Sequence, residues 1–397
     1  MSTVELSPPT TTSHPGRAAL FGPVRDWVPR IWATPLRRAL VVTVTWRVIL
    51  GIWGVMAHGL ELKGPDPRDS LLHAGWPRNP FTLLIDSGVR LDATWYASIA
   101  RQGYTFSTHH MSSIAFYPFF PMVIKAVSLV TGDVYVAGMM VSTAALFVAI
   151  WLLQLWMDRH GFGARGPAAA ALLLSFPFAF FLVSMYTESL FLVLVLATFI
   201  LVEDRRWECA ALFGFLAALT RPTGIILSVA ILALLWQRKD LGLRAWSAVA
   251  APVAGLLSFA GYQLLVFGTP MASVRAMAVA PWLRTPRQAL SDLMLIHPGL
   301  PPWFLLFLMA FGAVFLAAVP AVYRRFGPAY ATYAGLAVLL PAFNGVTSLE
   351  RYVLVDFPVF ALVACAARRW VPIALATAGF WMLLGFTALF IGGFALT

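Results

Sequence analysis

The stretch "RLDATWYASIARQGYTF", residues 90–106, decides how the rest of the chain reads. It brings Arg90, Asp92 and Arg101 together with Trp95, Tyr96 and Tyr104, and it is too charged to cross a bilayer. On a helical period Trp95 and Ile99 fall on one stripe, with Tyr96 and Ala100 beside it. That spacing predicts a short amphipathic helix lying in a membrane interface. Asp92 falls at or before the start of this helix. An Asp in that place is most often an N-cap, its carboxylate accepting from the first free backbone N–H groups. Capping and chemistry are compatible only if one carboxylate oxygen stays free.

Around this stretch the chain is overwhelmingly apolar. Its 397 residues are 60% hydrophobic and 11% charged, with a mean hydropathy of +0.80. A soluble domain carries about 25% charged residues. The composition therefore implies an all-α polytopic membrane protein. The net charge of +11 does not point to nucleic acid, because no basic patch with interleaved aromatics occurs. Lys and Arg fall instead in short clusters between apolar runs, a topology signal. Cys209 and Cys365 have no metal-ligand or redox spacing and are expected to be free thiols.

Apolar segments lie near 38–59, 134–157, 166–186, 188–202, 207–219, 224–236, 246–266, 302–322, 328–343, 351–366 and 371–394, about eleven transmembrane helices. Several fall short of the ~20 residues of a simple span, which is tolerated where broken backbone is buried in protein or lines a cavity. Residues 1–36 read as a cytoplasmic N-terminal tail, disordered at its start, and 37–397 as one transmembrane domain. With the N-terminus inside and 114–131 lying in the interface, the loops "DRHGFGAR", "EDRRW", "QRKDLGLR", "YRRFG" and "ARRW" are all cytoplasmic. They hold eleven Lys and Arg, against Arg221 and Arg351 in the short outer turns. "RLDATWY", "MYTES", "LTRPTG" and "TSLERY" then share the outer face with two long loops, 60–133 and 267–301. Polar residues from the whole chain are thus expected at one membrane boundary.

Each of these motifs has a plain reading beside a chemical one. "AFYPFFP", 115–121, is an interfacial aromatic anchor or, with Tyr117, the wall of a lipid groove. In "SMYTESLF", 184–191, Glu188 sits at membrane depth among hydroxyls that include Tyr186; it binds a sugar or pairs with Arg221. "ALTRPTG", 218–224, sets Arg221 before Pro222, which biases it away from helical geometry, and a cation at such a break can hold a phosphate. In "TSLERYVLVDFP", 347–358, Arg351 is a second phosphate contact or one half of an interhelical salt bridge, with Glu350 beside it and Asp356 deeper. His109 and His110 are adjacent on a loop, a poor spacing for one metal, so no metal is expected. No phosphate-binding loop, HExxH or cytoplasmic DxD occurs.

Taken in order, "RLDATWYASIARQGY", "AFYPFFP", "SFPFAFFLVSMYTESLF", "LTRPTG" and "ERYVLVDFPVF" resemble the PIG-V-like mannosyltransferases, GPI mannosyltransferase II and bacterial relatives, of the GT-C glycosyltransferases. The resemblance runs from about residue 40 to 366. It departs at Leu91-Asp92, where the family often has Trp or Phe before Asp, and at Arg221-Pro222-Thr223-Gly224. It implies a GT-C fold in a bacterial-type plasma membrane, with interfacial helices in the first long outer loop. It also implies inverting transfer of a hexose, mannose by family, from a polyprenyl-phosphate donor to a hydroxyl acceptor on the extracytoplasmic face, without a cofactor. Asp92 would be the general base. Arg221, Arg351, Glu188 and Tyr186 would line the donor phosphate site. Arg90, Trp95, Tyr96, Tyr117, His109 and Glu350 would contact sugar or acceptor. A transporter or flippase would also place charges beside broken helices, but with an inverted repeat and a midplane site. A non-catalytic subunit of a glycolipid-assembly complex would keep the fold and tolerate loss of Asp92.

Overall fold

The computed structural model describes residues 34–64, 70–240, 242–279, 302–344 and 348–394, and every regular element among them is helical. The tail 1–36 lies outside the described residues but for its last three. So does 280–301 of the second long loop, with Arg284, Arg287 and His297. The helices are α1 (Pro35–Ala57), then α2 (Pro80–Asp86), α3 (Asp92–Gln102) and α4 (Phe119–Thr131) in the first long loop. Next come α5 (Val134–Arg159), α6 (Gly166–Leu174), α7 (Glu188–Glu203), α8 (Trp207–Thr220), α9 (Ile226–Arg238), α10 (Leu243–Phe267) and α11 (Ala272–Ala278). The chain ends in α12 (Pro302–Phe326), α13 (Pro328–Asn344), α14 (Leu349–Leu354), α15 (Phe357–Ala364) and α16 (Trp370–Ile391). The helix starts have local causes: Asn79 Oδ1 accepts from Thr82 N at 2.9 Å, and Asp133 Oδ1 from Tyr135 N and Val136 N at 2.8 and 3.0 Å.

Each of the eleven apolar segments contains helix, but among the described residues five helices are long and apolar enough to cross a membrane: Pro35–Leu60, Val134–Arg159, Leu243–Phe267, Phe304–Phe326 and Trp370–Ile391. The others are short or broken, and proline explains the breaks. The 166–186 segment leaves the α-helix after Leu174, ahead of Pro177, and continues as a 3-10 turn at Ala179–Leu182. The 351–366 segment divides into α14 and α15 ahead of Pro358. Arg221 is fully extended, φ −148° and ψ 144°, because the following Pro222 disfavours the helical region. The chain is an all-α polytopic membrane protein.

Burial ranks the spans. In α5, 56% of the most apolar window is buried within the protein, against 28% in α1, α10, α12 and α16, whose remaining apolar side chains face outward. Helix α4 has 13 residues, so it is about 20 Å long, too short for a ~30 Å hydrocarbon layer, and it leaves Leu129 and Val130 exposed. The basic loops meet at one end of the bundle. Arg38 bonds Asp158 (3.1 Å), Arg159 bonds Asp204 (2.6 Å), Arg205 bonds Asp240 (3.1 Å) and His160 bonds Glu203 (3.2 Å). From Glu203, the 16 residues of α7 lead about 24 Å away to Glu188.

The first long loop is locked onto that far end. Met185 N donates to the Gly88 carbonyl and Tyr186 Oη to the Arg90 carbonyl, both at 3.0 Å. Gly88 is needed for this approach, since a Cβ there would lie 2.6 Å from the Met139 thioether and 3.2 Å from Ser184 Cα. Asp86 and Arg90 pin the same loop to the end of α16, Arg90 donating twice to the Ile391 carbonyl at 3.1 and 3.0 Å.

Candidate functional site: a buried ion chain open at Asp92

Asp92 is the first residue of α3, and the cap position belongs to Leu91, which makes no side-chain cap bond. Leu91 holds φ +50°, a region that a side chain with a Cβ rarely adopts. The expected capping role of Asp92 is therefore corrected. Its carboxylate turns away from the helix N-terminus and accepts at Oδ2 from Arg351 Nη1, at 2.5 Å.

Arg351, on α14, also donates from Nε to Glu188 Oε1 at 2.7 Å. Arg221 Nη1 donates to the same oxygen at 2.8 Å. Asp92, Arg351, Glu188 and Arg221 thus form one continuous chain of alternating charge. Four motifs up to 259 positions apart in sequence supply it. Two negative and two positive groups leave the chain neutral, and burying them together is tolerable because each charge has an opposite neighbour. The Glu188–Arg221 pairing anticipated from sequence is present, and Arg351 shares it. Side-chain exposure is 16% at Asp92, 9% at Arg351, 0% at Glu188 and 7% at Arg221. Asp92 is the open end.

Aromatic rings set the guanidinium planes. Arg351 lies over Tyr186 and Phe181, 4.7 and 5.2 Å from the ring centroids, and Arg221 over Tyr352 at 4.7 Å. Tyr186 is therefore a platform for Arg351 as well as a tie to the first loop. Tyr96, four positions and about one helical turn after Asp92 on α3, meets Phe116, Phe120 and Tyr186 edge-on at 5.2, 5.0 and 6.5 Å. Trp95 stacks on Phe116 at 5.9 Å, and Tyr117 packs on Phe259 of α10 at 4.9 Å. Burial pushes the Tyr117 phenol up to about 12, so it is a neutral donor at physiological pH.

Other expected site residues stand apart from the chain. All five N–H groups of Arg90 are engaged, by the Asp86 carboxylate and carbonyl and the Val89 and Ile391 carbonyls. None is left for a sugar or acceptor, so Arg90 is a clamp within the fold. His109 is exposed, its backbone N–H donating to Ser107 Oγ at 3.2 Å. Glu350 is fully buried, and neither of its oxygens has a hydrogen-bond partner among the described residues. Among the described residues, no group of three or more His, Cys, Asp or Glu side chains could hold a metal ion. Cys209 and Cys365 are both free.

Sequence reading missed Asp86. It accepts from Arg90 Nη2 (2.6 Å), Leu71 N (2.6 Å) and Ser70 Oγ (3.0 Å), with His58 Nε2 at 2.8 Å. Burial pushes its carboxyl up, but the bonds from His58 and Arg90 outweigh that and hold it well below the usual carboxylate range. The four-residue spacing from Asp86 to Arg90 was the available signal. Tyr352, the ring beneath Arg221, had no signal beyond its place next to Arg351.

No protein-family model matches the chain, and no curated protein matches it. Among solved structures it is similar to the crystal structure of the Archaeoglobus fulgidus oligosaccharyltransferase tethered to an acceptor peptide containing the NVT sequon. The TM-score is 0.42 at 11% identity, over 89% of this chain and 55% of that one. The chain therefore spans little more than half the length of that neighbour. The chemistry read below comes from the four-residue chain and not from the likeness.

The arrangement offers two functions side by side. Asp92 Oδ1 accepts no hydrogen bond among the described residues and belongs to the most exposed side chain of the four. Behind it, Arg351 and Arg221 keep N–H groups that no described residue accepts, a ready contact for a second anion.

Proposed function

We propose that the protein is a membrane-embedded GT-C type glycosyltransferase. It moves a hexose, mannose on the resemblance of its motifs, from a polyprenyl-phosphate donor to a hydroxyl acceptor on the extracytoplasmic face, with inversion. One observation carries the reading: an accessible carboxylate at the open end of a buried chain with two arginines. A sugar transfer from a lipid phosphate needs this pair, a base for the hydroxyl proton and cations for the departing phosphate.

In the reaction the acceptor hydroxyl gives its proton to Asp92 as its oxygen bonds the anomeric carbon. The bond from that carbon to the phosphate oxygen breaks, and its electron pair leaves with the polyprenyl phosphate. The anomeric carbon gains oxocarbenium character on the way, which the Asp92 carboxylate also stabilises. Arg351 and Arg221 take the charge of the departing phosphate. Glu188 does not react; it is a positioning residue that fixes both guanidinium groups from below. Trp95, Tyr96 and Tyr117 form the aromatic wall between the interface and the chain, apolar enough to receive a lipid-borne sugar. A lipid-linked donor accounts for a sugar enzyme made almost wholly of membrane helices.

The test uses the purified protein in liposomes with polyprenyl phosphate carrying radiolabelled mannose or glucose, and a lipid extract as acceptor source. The expected result is sugar-labelled product and free polyprenyl phosphate in equal amounts. Movement of intact labelled lipid between leaflets with no product would instead identify a transporter.

A further inference from the structure

The contact between Arg351 and Asp92 poses a problem for the reading just given, and its geometry answers it. A guanidinium grips a phosphate best through two parallel N–H groups on one edge. Arg351 has two such edges, and each is half taken. Its Nε–Nη2 edge is held at Nε by Glu188, which is fully buried and shares its oxygen with Arg221. Its other edge is held at Nη1 by Asp92, the most exposed member of the chain. An incoming phosphate can therefore gain a two-point grip on Arg351 itself only where Asp92 now sits.

We propose that Arg351 is a donor-operated latch: without donor it occupies the Asp92 carboxylate, and the donor phosphate displaces Asp92 from it, freeing the base only once the sugar to be transferred is in place. This rests on the reading of Asp92 as the base and adds an order of events to it. The donor binds first, and the carboxylate so released turns to the acceptor hydroxyl. Phe181 and Tyr186 keep the Arg351 plane fixed while its partner changes. Glu188 keeps it charge-balanced from the other side. Because Asp92 and the phosphate compete for one edge, the enzyme binds its donor less tightly than its arginines alone would allow.

That competition gives a result opposite in sign to the usual effect of removing a binding-site charge. The full-length protein is titrated in detergent micelles with decaprenyl monophosphate, and with neutral decaprenol as control, following tryptophan fluorescence. Asp92→Asn removes the competing anion and should bind the phosphate at least about tenfold more tightly than wild type, a shift of ~1.4 kcal/mol. Decaprenol binding should not change. Adding Arg351→Lys, whose ammonium has no two-point edge, should abolish the gain. Asp92→Ala is measured in parallel, so that the result does not depend on one variant folding. Unchanged or weaker phosphate binding in a folded Asp92 variant overturns the latch, as does an equal gain for decaprenol. The two readings fail separately. Lost transfer with unchanged affinity removes the latch and leaves the base; wild-type transfer by Asp92→Asn removes the base itself.

Discussion

Replacing Glu188 by Ala should be the most damaging single change in the buried chain. Its Oε1 is the only acceptor that Arg221 has among the described residues, and one of two for Arg351. The substitution therefore leaves one buried guanidinium without a carboxylate and the other with Asp92 alone. Removing one partner of a buried ion pair costs about 3–5 kcal/mol, since the remaining charge stays desolvated. Glu188→Gln keeps an oxygen facing both arginines and loses only the charge. It should cost less, about 1.5–3 kcal/mol, the worth of a hydrogen bond to a charged group. Combining Glu188→Gln with Arg221→Gln should recover part of the loss, giving a coupling energy of about 0.5–3 kcal/mol. Equilibrium unfolding in mixed micelles, followed by tryptophan fluorescence, measures wild type, the three single variants Glu188→Ala, Glu188→Gln and Arg221→Gln, and the double variant. If Glu188→Ala unfolds within about 0.5 kcal/mol of wild type, the range of an ordinary surface change, the buried chain does not hold these helices together.

Two further outcomes follow from parts of the fold around the site. Because the Asp86 carboxyl is held below its ordinary 3.8, the unfolded chain binds that proton first as pH falls. The stability it contributes is complete above that value and is lost progressively below it, toward the lower folded pKa. Wild type should therefore lose stability relative to Asp86→Asn between about pH 4 and pH 3, read as the difference in unfolding midpoints; a constant difference would refute the assignment. Gly224→Ala places a Cβ 2.5 Å from Ala218 N and 2.6 Å from Ala217 C. That clash with backbone should cost about 1–3 kcal/mol and, by shifting the turn that carries Arg221, weaken polyprenyl phosphate binding in the same titration.

How much of this could be read from sequence differs residue by residue. The apolar segments were legible because hydropathy alone marks them, and the extended Arg221 because proline restricts the residue before it. The gathering of Asp92, Glu188, Arg221 and Arg351 followed from the placement of the basic loops. Their order of pairing did not, because it depends on side-chain directions across four elements. The turn at Leu91 was hidden for a related reason. Nothing in a leucine announces a positive φ; the bond from Tyr186 to the Arg90 carbonyl and the pull of Arg351 on Asp92 hold it there. Arg90 was misjudged because its partners include a carbonyl 301 positions away, at the end of α16. The broken spans were visible as short apolar runs, but where each helix breaks depends on its prolines and its packing.

The most direct test of the account is single-turnover transfer from polyprenyl-phosphate mannose by Asp92→Asn, with donor binding measured on the same preparation. The account predicts that the variant binds donor and transfers sugar at least about 100-fold more slowly than wild type, the low end of what a general base contributes. Transfer at the wild-type rate by a variant that binds donor would contradict it.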